Sequence, residues 1–252
     1  AAAGADGYRA AEILPHLGQY CGKGENLWKA VYQLKGDILI FVDGDITTMH
    51  PRFITGLVGP LLHQPNIDYV KAFYDRPANL MDGGRVTEIL VRPLLSLYFP
   101  ELRAVIQPLA GEYAARRRLL EQLAFPVGYG VELAHLIDIS SGYGMKTLAQ
   151  CDVEVREHRH RSNRELGRMA HALLQVCHRR LQQRGIVRPL VEYSTDLLQF
   201  VCSDGDWQPQ THRIVEYERP PLVQVTAYRQ RHGVPSVKGV GSEKSVNVAE
   251  EH

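Results

Sequence analysis

The stretch Gly36-Asp37-Ile38-Leu39-Ile40-Phe41-Val42-Asp43-Gly44-Asp45 decides the fold. Its apolar run, β-branched and aromatic in character, is too short for a helix and is bounded by Gly36 and Gly44, so residues 38–42 read as a buried strand. Upstream, Leu27, Trp28, Val31 and Leu34 keep helical spacing until Gly36 stops the pattern. Downstream, a second helical pattern runs from Pro51 to about Leu62, and Asp68 to Tyr74 alternates as a strand. Helices and strands alternating in this way predict an α/β domain with a mostly parallel sheet flanked by helices.

Further along, 75–85 is a polar loop rich in Gly and Pro, and Val86 begins a helix that Pro93 bends or interrupts. Residues 108–116 read as loop or strand, 131–139 as a helix stopped by Gly142-Tyr143-Gly144, and Leu148 to about Glu157 as a strand. From Arg164, Leu166, Met169, Ala170, Leu173, Leu174, Cys177 and Leu181 trace one face of a long amphipathic helix. Arg168, Arg179, Arg180 and Arg184 fall outside that face and read as its solvated side. Beyond Trp207 periodicity is lost, and 205–252 reads as an irregular extension.

The chain has 252 residues, 44% of them hydrophobic and 23% charged, an ordinary globular balance. With 29 Lys+Arg against 28 Asp+Glu, bulk charge gives no case for a nucleic-acid or anionic-membrane partner, so any anion site is local. Apolar runs fall far short of the roughly 18 residues of a membrane span, and no basic-then-apolar leader opens the chain, which reads as cytoplasmic. The four cysteines are widely separated, without zinc spacing, and read as reduced thiols. The opening Ala1-Ala2-Ala3-Gly4 reads as the frayed end of an earlier element.

Five constellations bear on chemistry. Asp43-Gly44-Asp45 stands at the carboxyl end of a strand, the edge where open α/β sheets place ligands, and two carboxylates there can share a hard divalent cation. Such acidic pairs also cap helices and fill turns. Gly22-Lys23-Gly24-Glu25 sets a cation and glycine backbone before a helix, suited to an anion or to a tight turn with a surface lysine. Gly83-Gly84-Arg85-Val86-Thr87-Glu88 offers backbone N–H groups, a guanidinium and a hydroxyl to phosphate or carboxylate, or serves as a helix cap. Arg156-Glu157-His158-Arg159-His160-Arg161 offers imidazole to a metal and guanidinium groups to phosphate, or is a solvated charge run. Glu132, at the start of a helix, faces sugar hydroxyls or is an N-terminal helix acid.

In this order, Gly22-Lys23-Gly24-Glu25, Asp43-Gly44-Asp45, Gly84-Arg85-Val86-Thr87-Glu88, Pro108-Leu109-Ala110-Gly111-Glu112-Tyr113-Ala114, Gly128-Tyr129-Gly130-Val131-Glu132 and Arg156-Glu157-His158-Arg159 resemble the glucosyl-3-phosphoglycerate synthase family, over about residues 1–185. The resemblance implies a GT-A glycosyltransferase fold. It also implies transfer of glucose from a nucleotide-glucose (UDP- or GDP-glucose) to 3-phosphoglycerate with retention, a divalent metal (Mg2+ or Mn2+) and a homodimer. By motif, Lys23, Asp43, Gly44 and Glu132 would bind the donor, Asp45 and His158 the metal, and Gly84, Arg85, Val86, Thr87 and His160 the acceptor. Glu132, Arg156 and Asp45 would act at the reacting centre. Residues 1–162 would form the nucleotide-sugar and acceptor domain, and 163–204 a helical region with a dimer contact, followed by 205–252.

Two departures stand out. His160 occupies a position where the related enzymes usually have Asn, and against the resemblance the chain reads as starting after the strand and helix that hold the nucleotide base, an expected shortfall on the order of two βα units of roughly 30 residues each. Two other functions stay open: mannosyl transfer from GDP-mannose to the same acceptor, and a non-catalytic binding module that buries the long helix's apolar face in a partner.

Overall fold

A computed structural model describes residues 12–46, 49–75, 84–155, 162–203 and 206–235. Helix α1 (Lys23–Gln33) leads into strand β1 (Ile38–Phe41), then α2 (Arg52–His63), β2 (Tyr69–Asp75) and α3 (Arg92–Tyr98). These are followed by β3 (Tyr113–Arg116), the single turn α4 (Arg117–Leu120), β4 (Phe125–Pro126), α5 (Val131–Gly142) and β5 (Leu148–Val155). The remainder is α6 (Asn163–Gln183), β6 (Asp196–Ser203), β7 (Asp206–Arg213), β8 (Glu218–Arg219) and α7 (Thr226–His232).

The central sheet has the order β1-β3-β2-β5. β2 and β5 are parallel, whereas β3 runs antiparallel to both β1 and β2. Three of the four strands therefore share a direction, as helix–strand alternation predicts, but the strand between β1 and β2 is reversed and makes the sheet mixed. Alternation sorts the side chains into two cores. Leu39, Phe41, Tyr69, Tyr113 and Ala115 pack with Trp28, Leu133, Leu136 and Leu173 on one face. Val70, Ala72, Tyr74 and Ala114 pack with Phe53, Leu57 and Leu61 of α2 on the other.

Helix ends are satisfied by distant groups. The Arg117 guanidinium donates to the carbonyls of Val31, Leu34 and Gly36 at 2.9, 2.7 and 2.8 Å, closing the C-terminal end of α1. Ser162 and Glu165 form a capping box that starts α6. Ahead of α3, Thr87–Val91 forms a π turn, and the change to α geometry comes at Arg92-Pro93, the position marked as an interruption.

Three expectations need correction. Arg180, assigned to the solvated side of α6, is buried: it bridges Asp138 of α5, at 2.8 and 2.7 Å, and Glu218 of β8, at 2.6 Å. Part of the apolar face of α6 is covered by the chain's own α5, with Leu173, Val176 and Cys177 buried, while Leu166, Met169 and Ala170 are half-buried and Leu174 is exposed, so less of that face is bare than its spacing suggests. The region from 205 is not irregular throughout, since 206–213 pair residue for residue with 196–203 and 218–219 pair with β4. Asp204-Gly205, between the paired strands, is the hairpin signal in the sequence, but Pro209 and three glutamines in 199–210 disguise the alternation. Among the described residues no helix is long and apolar enough to cross a membrane.

Arg219 ties this architecture together. Its guanidinium meets the Glu25 carboxylate in two bonds of 2.7 Å, donates to the Leu17 and Gly18 carbonyls at 2.6 and 2.7 Å, and lies over the Tyr20 and Trp28 rings. Lys29 adds a 3.0 Å contact to the same buried carboxylate. Removing one member of a buried pair strands the other, so Arg219→Met is expected to lower unfolding stability by about 3 kcal/mol. Urea denaturation at constant m-value measures this, and a loss no larger than that of an exposed Arg→Met control contradicts it.

Candidate active site

The site is built where α1 begins, β1 ends and α5 begins. Gly22 and Gly24 bring the start of α1 against the backbone of 126–128 so closely that a Cβ at either would collide with the Val127 or Pro126 carbonyl. The N–H groups of Gly24 and Glu25 donate to the Gly128 and Val127 carbonyls at 3.2 and 3.0 Å. These helix-start donors are thus consumed by the protein, and the glycines serve close packing, not an anion cradle. What remains for other partners at this helix start is the half-buried Lys23 side chain.

The Lys23 ammonium lies 2.7 Å from Asp43, just past β1, and 2.6 Å from Glu132, in the first turn of α5. Burial works to lower its pKa, but the carboxylates of Glu132 and Asp43 more than reverse this, and the group stays protonated. Glu132 is itself buried, and a Cβ on Gly130 would strike Val176, so α5 starts pressed against α6. The Asp43 carboxylate rests on Gly111, where any Cβ would displace it. Three residues expected at the donor site, Lys23, Asp43 and Glu132, are thereby joined in one contact.

Gly44 and Asp45 form the turn after Asp43. Gly84, expected at the acceptor site, has a φ of 93°, a conformation that favours glycine, and Thr87 is buried at the start of the π turn. Arg85 is half-buried, Val86 packs into the main core, and the Arg85 guanidinium donates to Asn163 at the start of α6. Arg156, His158 and His160 lie outside the described residues, in the segment that ends just before Ser162. Among the described residues no group of three His, Cys, Asp or Glu is placed to hold a metal.

Behind the ion pairs lies a polar layer that sequence reading missed. Lys71, in the middle of β2, is fully buried; its ammonium donates to the Ala110 carbonyl at 2.5 Å and sits 5.5 Å from the Tyr113 ring centre. Burial pulls its pKa down to about 8. Tyr113 stacks on Tyr69 at 5.0 Å and meets the edge of His135, whose pKa burial lowers to about 3, leaving a neutral ring. The available signal was a lysine inside a strand whose neighbours are apolar on both sides.

No protein-family model matches the sequence. A glucosyl-3-phosphoglycerate synthase of Petrotoga mobilis is 45% identical over 234 residues, covering 90% of this chain and 72% of the relative. The chain belongs to the glucosyl-3-phosphoglycerate synthase family. A synthase of the same family from Mycolicibacterium paratuberculosis is 41% identical over 233 residues, 88% of this chain and 69% of its own. Among solved structures, the Mycobacterium tuberculosis glucosyl-3-phosphoglycerate synthase in complex with Mn2+, uridine diphosphate and glucosyl-3-phosphoglycerate superposes with a TM-score of 0.74 at 39% identity, over 84% of this chain and 70% of that one. A mannosyl-3-phosphoglycerate synthase from Rubrobacter xylanophilus superposes at 0.81 with 35% identity, over 86% and 71%. The glucosyl-3-phosphoglycerate synthase family membership makes the chain a glycosyltransferase, and the mixed sheet with its flanking helices is the GT-A fold of these neighbours.

One further group borders the site. Glu216, buried between α6 and β4, accepts from the Gly128 N–H, and its own backbone is held by Gln175 and Arg179. Burial pushes its carboxyl up from 4.5 to about 7, with Glu218 adding to the rise and the Gly128 bond and Arg179 opposing it. Between those values the folded chain binds the extra proton, so this group's contribution to stability is present below 4.5 and falls away as pH rises through 7. Glu216→Gln keeps an acceptor for Gly128. It is expected to leave Tm nearly unchanged at acid pH and to raise it by roughly 5 °C at alkaline pH. Thermal unfolding followed by circular dichroism checks this, and a Tm difference that does not vary with pH contradicts it.

Proposed function

We propose that this chain is a metal-dependent glucosyltransferase that moves glucose from UDP-glucose to 3-phosphoglycerate, giving glucosyl-3-phosphoglycerate. The observation that carries this is the Lys23 ammonium held between Asp43 and Glu132 at the carboxyl end of β1. Two carboxylates around one ammonium leave the cluster net negative. Its oxygens suit the hydroxyls of a sugar, but a diphosphate brought beside it needs a cation.

Asp45, in the turn after Asp43, would help to hold that cation. Its hard carboxylate oxygen suits Mg2+ or Mn2+, and Mg2+ sites typically use one or two carboxylates, with substrate phosphates and water completing the shell. His158, next to the start of α6 in sequence, would add a nitrogen. A divalent cation held there would supply positive charge to offset that of the departing diphosphate. Glu132 accepts hydrogen bonds from the transferred sugar, Asp43 from the donor beside it, and Lys23 fixes both carboxylates while facing the nucleotide phosphates. Arg156 would contribute a guanidinium to the diphosphate. Gly84, Arg85, Val86, Thr87 and His160 take the phosphate and carboxylate of the acceptor, a guanidinium and backbone N–H groups being suited to both. Glu132 is bound to Lys23 and is not a free nucleophile, which fits retention by attack on the same face as the departing group.

The support from relatives is direct: a Mycobacterium tuberculosis synthase of this family is described with Mn2+ and UDP-glucose, and another complex of it with phosphoglyceric acid. The neighbour that superposes at 0.81 favours a second reading, mannosyl transfer. We also place a second copy of the chain on the β6–β7 hairpin. Its outer face exposes Leu198, Phe200 and Trp207, and a two-stranded hairpin with one apolar face bare to water is marginal without cover.

Nucleotide release with 3-phosphoglycerate, Mg2+ and each of UDP-glucose, GDP-glucose and GDP-mannose tests the function. Release is expected from UDP-glucose, dependent on acceptor, abolished by excess EDTA and lowered at least about 100-fold in Asp45→Ala. Full activity in EDTA contradicts the metal role, preference for GDP-mannose transfers the chain to the second reading, and no release from any donor favours a binding role. Light scattering tests the assembly: the chain is expected as a dimer and Phe200→Glu/Trp207→Glu as a monomer, while an unchanged mass for the variant contradicts this interface.

A further inference from the structure

A lysine in the interior of a sheet is an unusual choice, because an apolar residue of the same length would fill the space without desolvating a charge. Lys71 stands directly opposite Tyr113 in the β2–β3 pairing, on the face shared with Tyr69, and is completely buried. Its ammonium is spent on one backbone carbonyl, that of Ala110, in the segment that joins α3 to β3. The next residue, Gly111, is the one against which the Asp43 carboxylate rests, and the backbone carbonyl of the one after that, Glu112, accepts from the Ala72 N–H beside Lys71 at 3.0 Å. One step further, Asp43 and Glu132 share Lys23.

We propose that Lys71 is a positioning residue of the transfer site: by holding the Ala110 carbonyl it seats Gly111 under the Asp43 carboxylate, and so sets the position of Asp43 relative to Lys23 and Glu132. Lys71 touches neither sugar nor phosphate in this role. The lowered pKa of its ammonium agrees with the same geometry: burial lowers it, Glu132 opposes this, Lys23 adds to the fall, and Glu112 and Asp43 oppose it, while its hydrogen bond goes to a carbonyl. A carbonyl left without its donor in a sealed interior is costly, so the 108–112 segment has reason to move when the ammonium is removed.

Because this role rests on the transferase reading, two independent readouts are taken. Amide hydrogen exchange of the unliganded chain needs no turnover: Lys71→Met is expected to raise exchange at 109–112 by at least about 10-fold while α5 and α6 keep their protection. In the transfer assay Lys71→Met is expected to lower kcat by roughly 30-fold with the KM for 3-phosphoglycerate within about twofold, and Lys71→Arg, which still donates to the carbonyl, to recover most of the loss. Gly111→Ala, which drives a Cβ into the Asp43 carboxylate with Lys71 intact, is expected to give the same split, and the double variant to be little worse than the more severe single one.

Unchanged exchange at 109–112 in Lys71→Met, or wild-type kcat in either single variant, overturns the proposal. So does a fall in activity that only tracks the unfolded fraction. If Lys71→Met does not fold, Gly111→Ala and Lys71→Arg decide: wild-type kcat in Gly111→Ala overturns the role, and the kcat-only loss in Gly111→Ala with near-normal Lys71→Arg upholds it. A chain without turnover whose 109–112 segment loosens in Lys71→Met refutes the transferase and leaves the positioning role standing.

Discussion

The site depends on one desolvated ammonium. Lys23 is held by carboxylates from two other segments, Asp43 after β1 and Glu132 at the start of α5. Burial alone would lower the pKa of Lys23, and without the cation between them the two carboxylates would repel one another. Brought together they fix each other, at a point where the chain ends of three elements meet. The glycines around them have the matching role: Gly22, Gly24 and Gly111 are the places where a Cβ would force these segments apart.

Two supports hold that point from behind. One runs along α1, where Glu25, two residues beyond Lys23, is locked by Arg219 of β8 and by Lys29. The other runs through 126–128, whose carbonyls receive the start of α1, whose Gly128 N–H is taken by Glu216, and whose Val127 N–H donates to Tyr217. Residues 214–219 therefore brace the site, although they come more than 80 residues after Lys23, Asp43 and Glu132. Arg180 reinforces the same strap by pairing Glu218 to Asp138.

Local pattern was enough for much of this. The apolar run at 38–42, the helical spacing at 27–34 and along α6, and the alternation of 68–74 each mark their element within a few residues, and Lys23, Asp43 and Glu132 each stand in a motif that the sequence shows. What escaped depends on contacts distant in sequence. β3 is four residues with two alanines and carries no strong strand signal, so its reversal between β1 and β2 was invisible. Arg180 looked solvated because Asp138 and Glu218 lie 42 and 38 positions away. Lys71 was absorbed into an alternating pattern in which a charged residue normally faces water. The glycines of 22–24 looked like an anion loop because nothing local announces the Pro126 and Val127 carbonyls they press against.

The central claim is that the Lys23, Asp43 and Glu132 contact is the donor side of a metal-dependent glycosyltransferase. Calorimetric titration of UDP-glucose into the chain in Mn2+, compared with Lys23→Met of matched folded fraction and with the unvaried chain in EDTA, tests it most directly. The account expects saturable binding in Mn2+, at least about 10-fold weaker binding in Lys23→Met, and loss of binding in EDTA. Equal affinity in all three conditions, or no binding in any of them, would contradict it.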